Sequence, residues 1–150
     1  MNSWKKITVL GLLFLFPSCL GWFVEKPTFT LKEIAVTRLS LEQINFLLGI
    51  EVQNPNHFDL KLRALEYRIY LNDQEVGKGL LEKEVRMAKS SSTIVQVPLQ
   101  TDFRSLSNPL GFVLSGEDLR YKIEGAAIIK ASVGTATIPF SKSGNIKIKN

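Results

Sequence analysis

The chain reads as an all-β protein, an immunoglobulin- or fibronectin III-like antiparallel β-sandwich of seven to eight strands with one or two short helical turns. Three observations predict this class. Apolar residues recur with a period of two along most of the 150 residues, the signature of strands with one buried face. Turn-forming clusters cut these runs at roughly regular intervals: Asn54-Pro55-Asn56, Asn72-Asp73, Lys89-Ser90-Ser91-Ser92, Ser115-Gly116-Glu117-Asp118 and Ser132-Val133-Gly134. Only residues 102–115 depart from alternation. There Asp102 is placed to cap a helical turn, Phe103 and Leu106 share a helical face, and Asn108-Pro109 starts a second turn.

Taken in order, residues 29–41 form a strand with a kink, because Ile34 and Val36 alternate in one phase and Leu39 and Leu41 in the other. The central strand follows. Ile44, Phe46, Leu48, Ile50 and Val52 alternate with Asn45, Gly49, Glu51 and Gln53, and only Leu47 breaks the pattern. Pro55 then fixes its own φ and disfavours a helical Asn54, so the chain leaves the sheet in an extended turn. Phe58, Leu60 and Leu62 resume the alternation, and after Ala64 the phase slips so that Leu65, Tyr67, Ile69 and Leu71 carry it on. One extra residue is required there, which predicts a β-bulge.

A hairpin at Asn72-Asp73 leads into a weaker strand from Val76 to Val85, interrupted by Gly77 and Gly79. Val95, Val97 and Leu99 define the next strand, and Pro98 within it argues for an edge, since proline donates nothing to a ladder. Leu119, Tyr121 and Ile123 alternate with Arg120, Lys122 and Glu124. Gly125 then marks a bulge or the close approach of another backbone before Ala127 and Ile129 continue. Ala136, Ile138 and Phe140 share a face of the following strand, and Ile146 and Ile148 end the pattern.

The segment Val52-Gln53-Asn54-Pro55-Asn56-His57-Phe58, with Leu60, Leu62, Leu65, Tyr67, Ile69, Leu71-Asn72-Asp73, Val76 and Gly79, resembles the core of the late embryogenesis abundant type 2 family. The unit of that family is the water-stress and hypersensitive-response (WHy) domain. The resemblance spans about residues 32–148, with Gly125, Ile138-Pro139-Phe140 and Gly144-Asn145-Ile146 in the family's order. Asn72-Asp73 stands where the family usually has Asn-Gly. The resemblance implies a non-enzymatic role in stress protection, in which a folded module shields other proteins or a membrane during water loss, heat or freezing.

Residues 1–18 have the parts of a secretory signal: Lys5-Lys6, an apolar run over 7–16, and Ser18 before Cys19. Phe16-Pro17-Ser18-Cys19 resembles a bacterial lipobox, which implies cleavage between Ser18 and Cys19 and acylation of Cys19. Phe16 and Pro17 depart from the leucine and alanine usual in that motif. Residues 7–24 also form eighteen residues without a charge, long enough to stay as a membrane helix, and a soluble secreted form is a third reading. Pro17 favours the lipoprotein reading by ending the apolar helix at the cleavage point. The expected division is therefore a signal peptide at 1–18, a lipidated Cys19 and tether at 19–28, and the sandwich at 29–150. Leu20 after the cysteine resembles the sorting pattern of lipoproteins held in the outer membrane and facing the periplasm.

Composition narrows the chemistry. With 45% hydrophobic and 22% charged residues the chain is ordinary for a globular domain, not for a disordered desiccation protein. The net charge is +5, and +3 without Lys5 and Lys6, too mild and scattered for a nucleic-acid partner. Lys142, Lys147 and Lys149 are the one local excess, read as a solvated or edge-protecting strand, or as a contact for anionic lipid. One cysteine and one histidine exclude an internal disulfide and a usual Cys/His metal cluster.

No catalytic residues, metal or cofactor are expected. His57 sits in a turn without a carboxylate to orient it, and Glu82, Glu84 and Glu117-Asp118 read as surface groups. Asn54, Pro55 and Asn56 are the candidate site, as amides that cap free backbone groups at a strand exit or as a recognition loop. The expected partners are a membrane, through the N-terminal lipid, and weak or transient protein clients. The alternative function is a periplasmic binding or assembly module holding a lipid or a specific envelope protein, which an apolar cleft between the sheets would favour.

Overall fold

A computed structural model describes residues 24–102, 104 and 118–149. Among these residues nine strands run in order: β1 (Thr28–Leu39), β2 (Gln43–Asn54), β3 (Leu60–Leu71), β4 (Gln74–Leu81), β5 (Val85–Met87), β6 (Ser91–Asp102), β7 (Leu119–Ala131), β8 (Gly134–Ile146) and β9 (Ile148–Lys149). One sheet has the order β6-β2-β1-β9. The other has β4-β3-β7-β8, with β5 pairing the first residues of β3. Eight strands pair antiparallel, in line with the expected sandwich. The two-residue β9 extends the chain beyond β8 into the opposite sheet and pairs parallel to β1, Ile34 opposite Ile148.

The alternation of β2 buries Ile44, Phe46, Leu48, Ile50 and Val52, and that of β3 buries Leu60, Leu62, Leu65, Tyr67, Ile69 and Leu71 across from them. The phase slip after Ala64 is a register shift between Leu62 and Ala64 against β7. Asn72 (φ 46°) and Asp73 (φ 67°) both lie in the left-handed region, so the hairpin is a type I′ turn with aspartate accepted at its second position. Pro98 sits on β6, an edge strand, as its missing N–H requires. A Cβ on Gly125 would run into the Glu66 carbonyl, while pairing with both neighbours continues unbroken through this residue. Close backbone approach, not a bulge, is therefore its reason.

Four expectations are corrected. The kink in β1 is two register shifts, at Leu31/Glu33 and Val36/Arg38, and the strand ends at Leu39; Leu39 and Leu41 are exposed, Leu41 to 90%, because Leu41 lies in the following turn. The weak strand from Val76 to Val85 is two strands separated by Glu82, Lys83 and Glu84, three charges that leave no apolar face to bury. The first strand begins one residue before the expected residue 29: β1 starts at Thr28, Pro27 before it is buried, and Val24 packs against the core. Ala136 is exposed although it shares its phase with the buried Ile138. The expected helical turns lie outside the described residues except at Asp102 and Arg104, where the Arg104 N–H donates to the Asp102 carboxylate at 2.9 Å.

Both open sides of the sandwich are closed by a tyrosine lying over a glycine. On one side Tyr67 of β3 passes over its cross-strand neighbour Gly79 of β4 and donates its hydroxyl hydrogen bond to the Pro98 carbonyl of β6. The Thr101 hydroxyl donates to the Val76 carbonyl along the same seam. On the other side the Tyr121 ring covers Gly144 of β8, where a Cβ would come within 2.9 Å of it, and Phe29 stacks on Phe140 with centroids 4.3 Å apart. Burial pushes both phenols above the usual tyrosine range. Any larger residue at Gly79 or Gly144 would displace a ring that joins the two sheets.

Candidate functional site

Asn54 ends β2 with no side-chain exposure, and its amide spans three parts of the chain. Its Nδ2 donates to the carbonyls of Phe58 (2.9 Å), Met87 (3.2 Å) and Ala88 (3.1 Å), so it links the loop before β3 to the segment that leaves β5. Its Oδ1 accepts from both the backbone N–H and the side-chain amide of Asn56, each at 3.0 Å. Asn56 in turn clamps the incoming chain, since its Oδ1 accepts from the Glu25 N–H and its Nδ2 donates to the Glu25 carbonyl, both at 2.8 Å. Pro55 between them lacks an N–H and keeps the turn extended, which leaves both amides free to point inward.

The surroundings complete the brace. The Asn56 carbonyl accepts from the N–H of Ser90, itself in the left-handed region at φ 48°. Asp59 binds the Arg86 guanidinium (Nε at 2.9 Å) and the Lys89 N–H at 2.9 Å, and those hydrogen bonds, that of Arg86 foremost, hold its carboxyl below the usual range. The motif thus ties the β2 exit, the β5–β6 connection and the chain arriving from residues 1–23 into one end of the sandwich. Its amides are satisfied by this chain's own backbone. The sequence places the three residues in a turn. The partners Glu25, Met87 and Ala88, about thirty residues away, are invisible to periodicity.

His57 beside this hub is exposed, its Nδ1 lies 3.4 Å from the Ser90 hydroxyl, and among the described residues no carboxylate is hydrogen-bonded to it. Glu84 lies between Lys61 (2.7 Å) and Arg63, and the Lys61 bond keeps its carboxyl low. Asp118 faces Lys147 at 3.8 Å on the surface. Among the described residues no group of three or more His, Cys, Asp or Glu is arranged to hold a metal ion. Ser18, Cys19 and Glu117 lie outside the described residues.

The space between the sheets is filled. Ile34, Phe46, Leu48, Ile69, Leu71, Val76 and Leu99 enclose a gap too small for a water molecule. Among the grooves that the described residues form outside the core, two are lined mainly by apolar atoms. A shallow one of about 930 Å³ crosses the outer face of the β4-β3-β7-β8 sheet, between a mixed row of Leu80, Glu66 and Ala126 and a charged row of Lys78, Arg68 and Glu124. A second, of about 350 Å³, lies beside Val24, bordered by Lys26, Ile129, Ala131, Val133 and Ile138. Periodicity does not report the second groove, because it depends on Val24 lying against the β7–β8 hairpin.

Fold and site together define a class: a β-sandwich module whose polar hub braces one end, with no catalytic group assembled among the described residues. The family model described as late embryogenesis abundant protein matches residues 50–144, well over half of the chain. The chain belongs to this family, in its type 2 form. It is similar to the "Desiccation protectant protein Lea14 homolog" of Glycine max, at 23% identity over 124 residues and 82% of each chain. It is also similar to "Late embryogenesis abundant protein Lea14-A" of Gossypium hirsutum, at 22% identity over 126 residues and 83% of each. Among solved structures, that of an Arabidopsis thaliana protein in solution shares the fold with a TM-score of 0.66 and 21% identity, covering 85% of both chains.

Proposed function

We propose that this protein is a membrane-anchored member of the type 2 family that protects envelope proteins or the membrane under desiccation, osmotic stress or heat, without enzymatic chemistry. The observation that carries the reading is the family match over residues 50–144, joined by relatives named for desiccation protection. Anchoring is through Cys19, and the lipidated chain lies at the outer membrane facing the periplasm. Two or three acyl chains, at about 0.8 kcal/mol per buried methylene, make such attachment effectively permanent. The clamp of Asn56 on Glu25 supports a short tether, because it fixes the domain six residues after the acylated position.

The test is Cys19→Ala in cells, followed by fractionation and by survival after drying. The expected product keeps its leader or is released from the membrane, and it fails to restore survival in cells lacking the protein. Normal trimming with unchanged membrane retention would contradict the lipoprotein reading. Full protection by a released, soluble form would contradict the need for anchoring.

A further inference from the structure

Strand register sorts the loops between the two ends of the sandwich. At one end lie Val24, the Asn54–Asn56 hub, the 88–90 turn and the β7–β8 hairpin: Thr28 pairs with Gln53, Asn54 with Ser91, Leu60 with Met87, and Ala131 with Gly134. At the other lie the β1–β2 turn with Leu41 and the β3–β4 hairpin. The first end has three properties in common with an interfacial surface. Residues 131–141 carry no charge in eleven positions, and Val133 at the hairpin tip is 62% exposed. The groove of about 350 Å³ beside it is lined by apolar side chains of Val24, Ile129 and Ile138.

The third property is charge. Lys26 and Lys130 flank the uncharged run and take part in none of the ion pairs among the described residues. Nearby Lys61 and Arg63 share the single Glu84, and Asp59 is held by Arg86, which leaves Glu25 to oppose Lys26, Lys89 and Lys130. This end is therefore an apolar tip within a positive surround.

We propose that this end is a bilayer-docking face, with Val133 and the neighbouring uncharged strand entering the headgroup–acyl boundary and Lys26 and Lys130 meeting anionic headgroups. The proposal rests on the membrane-anchoring reading but not on which anchor holds. Cys19 is five residues from Val24, at most roughly 18 Å of extended chain, and an uncleaved apolar run over 7–24 ends at Val24 itself. Either way the bilayer lies on the Val24 side. A small apolar insertion joined to lysine contacts with an anionic surface is weak alone and strong when tethered. Docking of this kind fixes orientation: the Leu39 and Leu41 end is presented away from the membrane.

The experiment uses the full chain with Trp4→Phe and Trp22→Phe, reconstituted into vesicles of phosphatidylcholine with phosphatidylglycerol, with acyl chains brominated as quencher. One reporter is Val133→Trp, a second on the same face is Thr135→Trp, and the distal control is Leu41→Trp; all three positions are exposed. The expected result is that the chain floats with vesicles and that both hairpin reporters lose roughly twofold or more of their emission while the distal one is unchanged. Adding Lys26→Glu and Lys130→Glu then lowers quenching in the anionic vesicles and leaves it unaltered in pure phosphatidylcholine. If the chain floats but neither hairpin reporter is quenched, or all three are quenched alike, anchoring stands and the docking face is overturned. A chain that does not float overturns both.

Discussion

Ile50→Asp is expected to abolish cooperative folding of the domain, whereas Gln53→Lys, three residues on in the same strand, leaves the melting temperature within a degree or two of the parent. Ile50 is fully buried in the middle of β2, which is paired on both sides, by β1 and β6. Removing its side chain from the core forfeits about 1.5–3 kcal/mol. The carboxylate that replaces it would be buried without a partner, a further penalty of several kcal/mol that it can lower only by staying protonated. Against a total stability of about 5–15 kcal/mol the sum is enough to unfold the chain. Gln53 is exposed, so lysine there changes solvated surface and removes only the long, exposed hydrogen bond from the Thr28 hydroxyl at 3.4 Å. Thermal or urea unfolding checks the pair, and equal shifts would mean that the one-sided burial of β2 is wrong.

Asn54→Ala is expected to be the most damaging substitution of a polar residue, with a loss of about 3–5 kcal/mol. The change leaves the buried Met87 carbonyl and the Phe58 carbonyl without the Asn54 amide, while the Ala88 carbonyl, on an exposed residue, keeps the Ser91 hydroxyl at 2.8 Å. Each orphaned group costs about 1–3 kcal/mol in proportion to its burial. Asn54→Asp does not rescue the site, because a carboxylate oxygen would then face three carbonyl oxygens. The contrasting position is Asn45, whose buried Oδ1 has no hydrogen-bond partner among the described residues; Asn45→Ala is expected to be near neutral. Denaturant midpoints of the three variants make the comparison. A mild Asn54→Ala would show that the hub contributes little to holding the end of the sandwich together.

The strands were legible wherever one face is buried and one solvated. β2 and β3 bury the apolar positions of their alternation, and the bulge after Ala64, the edge placement of Pro98 and the close approach at Gly125 are each consequences of backbone geometry that a residue type reports. The seams were not legible. Tyr67 occupies an ordinary inward position of its strand, and nothing in the period of two tells that its hydroxyl crosses to Pro98 thirty-one residues later. The passage from β8 to a parallel β9 was hidden for the same reason, since Ile148 shows the alternation but not the partner. At the hub the asparagines and proline announced a turn, while the pinning of Glu25 depends on contacts distant in sequence. Leu39 and Leu41 misled because the last residue of a strand and the turn residue beyond it have no opposing sheet to pack against.

The most direct measurement of the central claim, that a folded module protects clients without recognising them individually, is a titration of the mature chain against two unrelated enzymes during drying and heating. Aggregation and residual activity are followed, beside an inert protein of equal size and charge. Protection without nucleotide or metal, rising gradually with molar ratio and similar for both enzymes, is the expected result. It must exceed that of the inert protein, because crowding alone favours compact states by only about 0.2–1 kcal/mol. Protection no better than the inert protein, together with stoichiometric retention of one envelope protein or lipid, would contradict it.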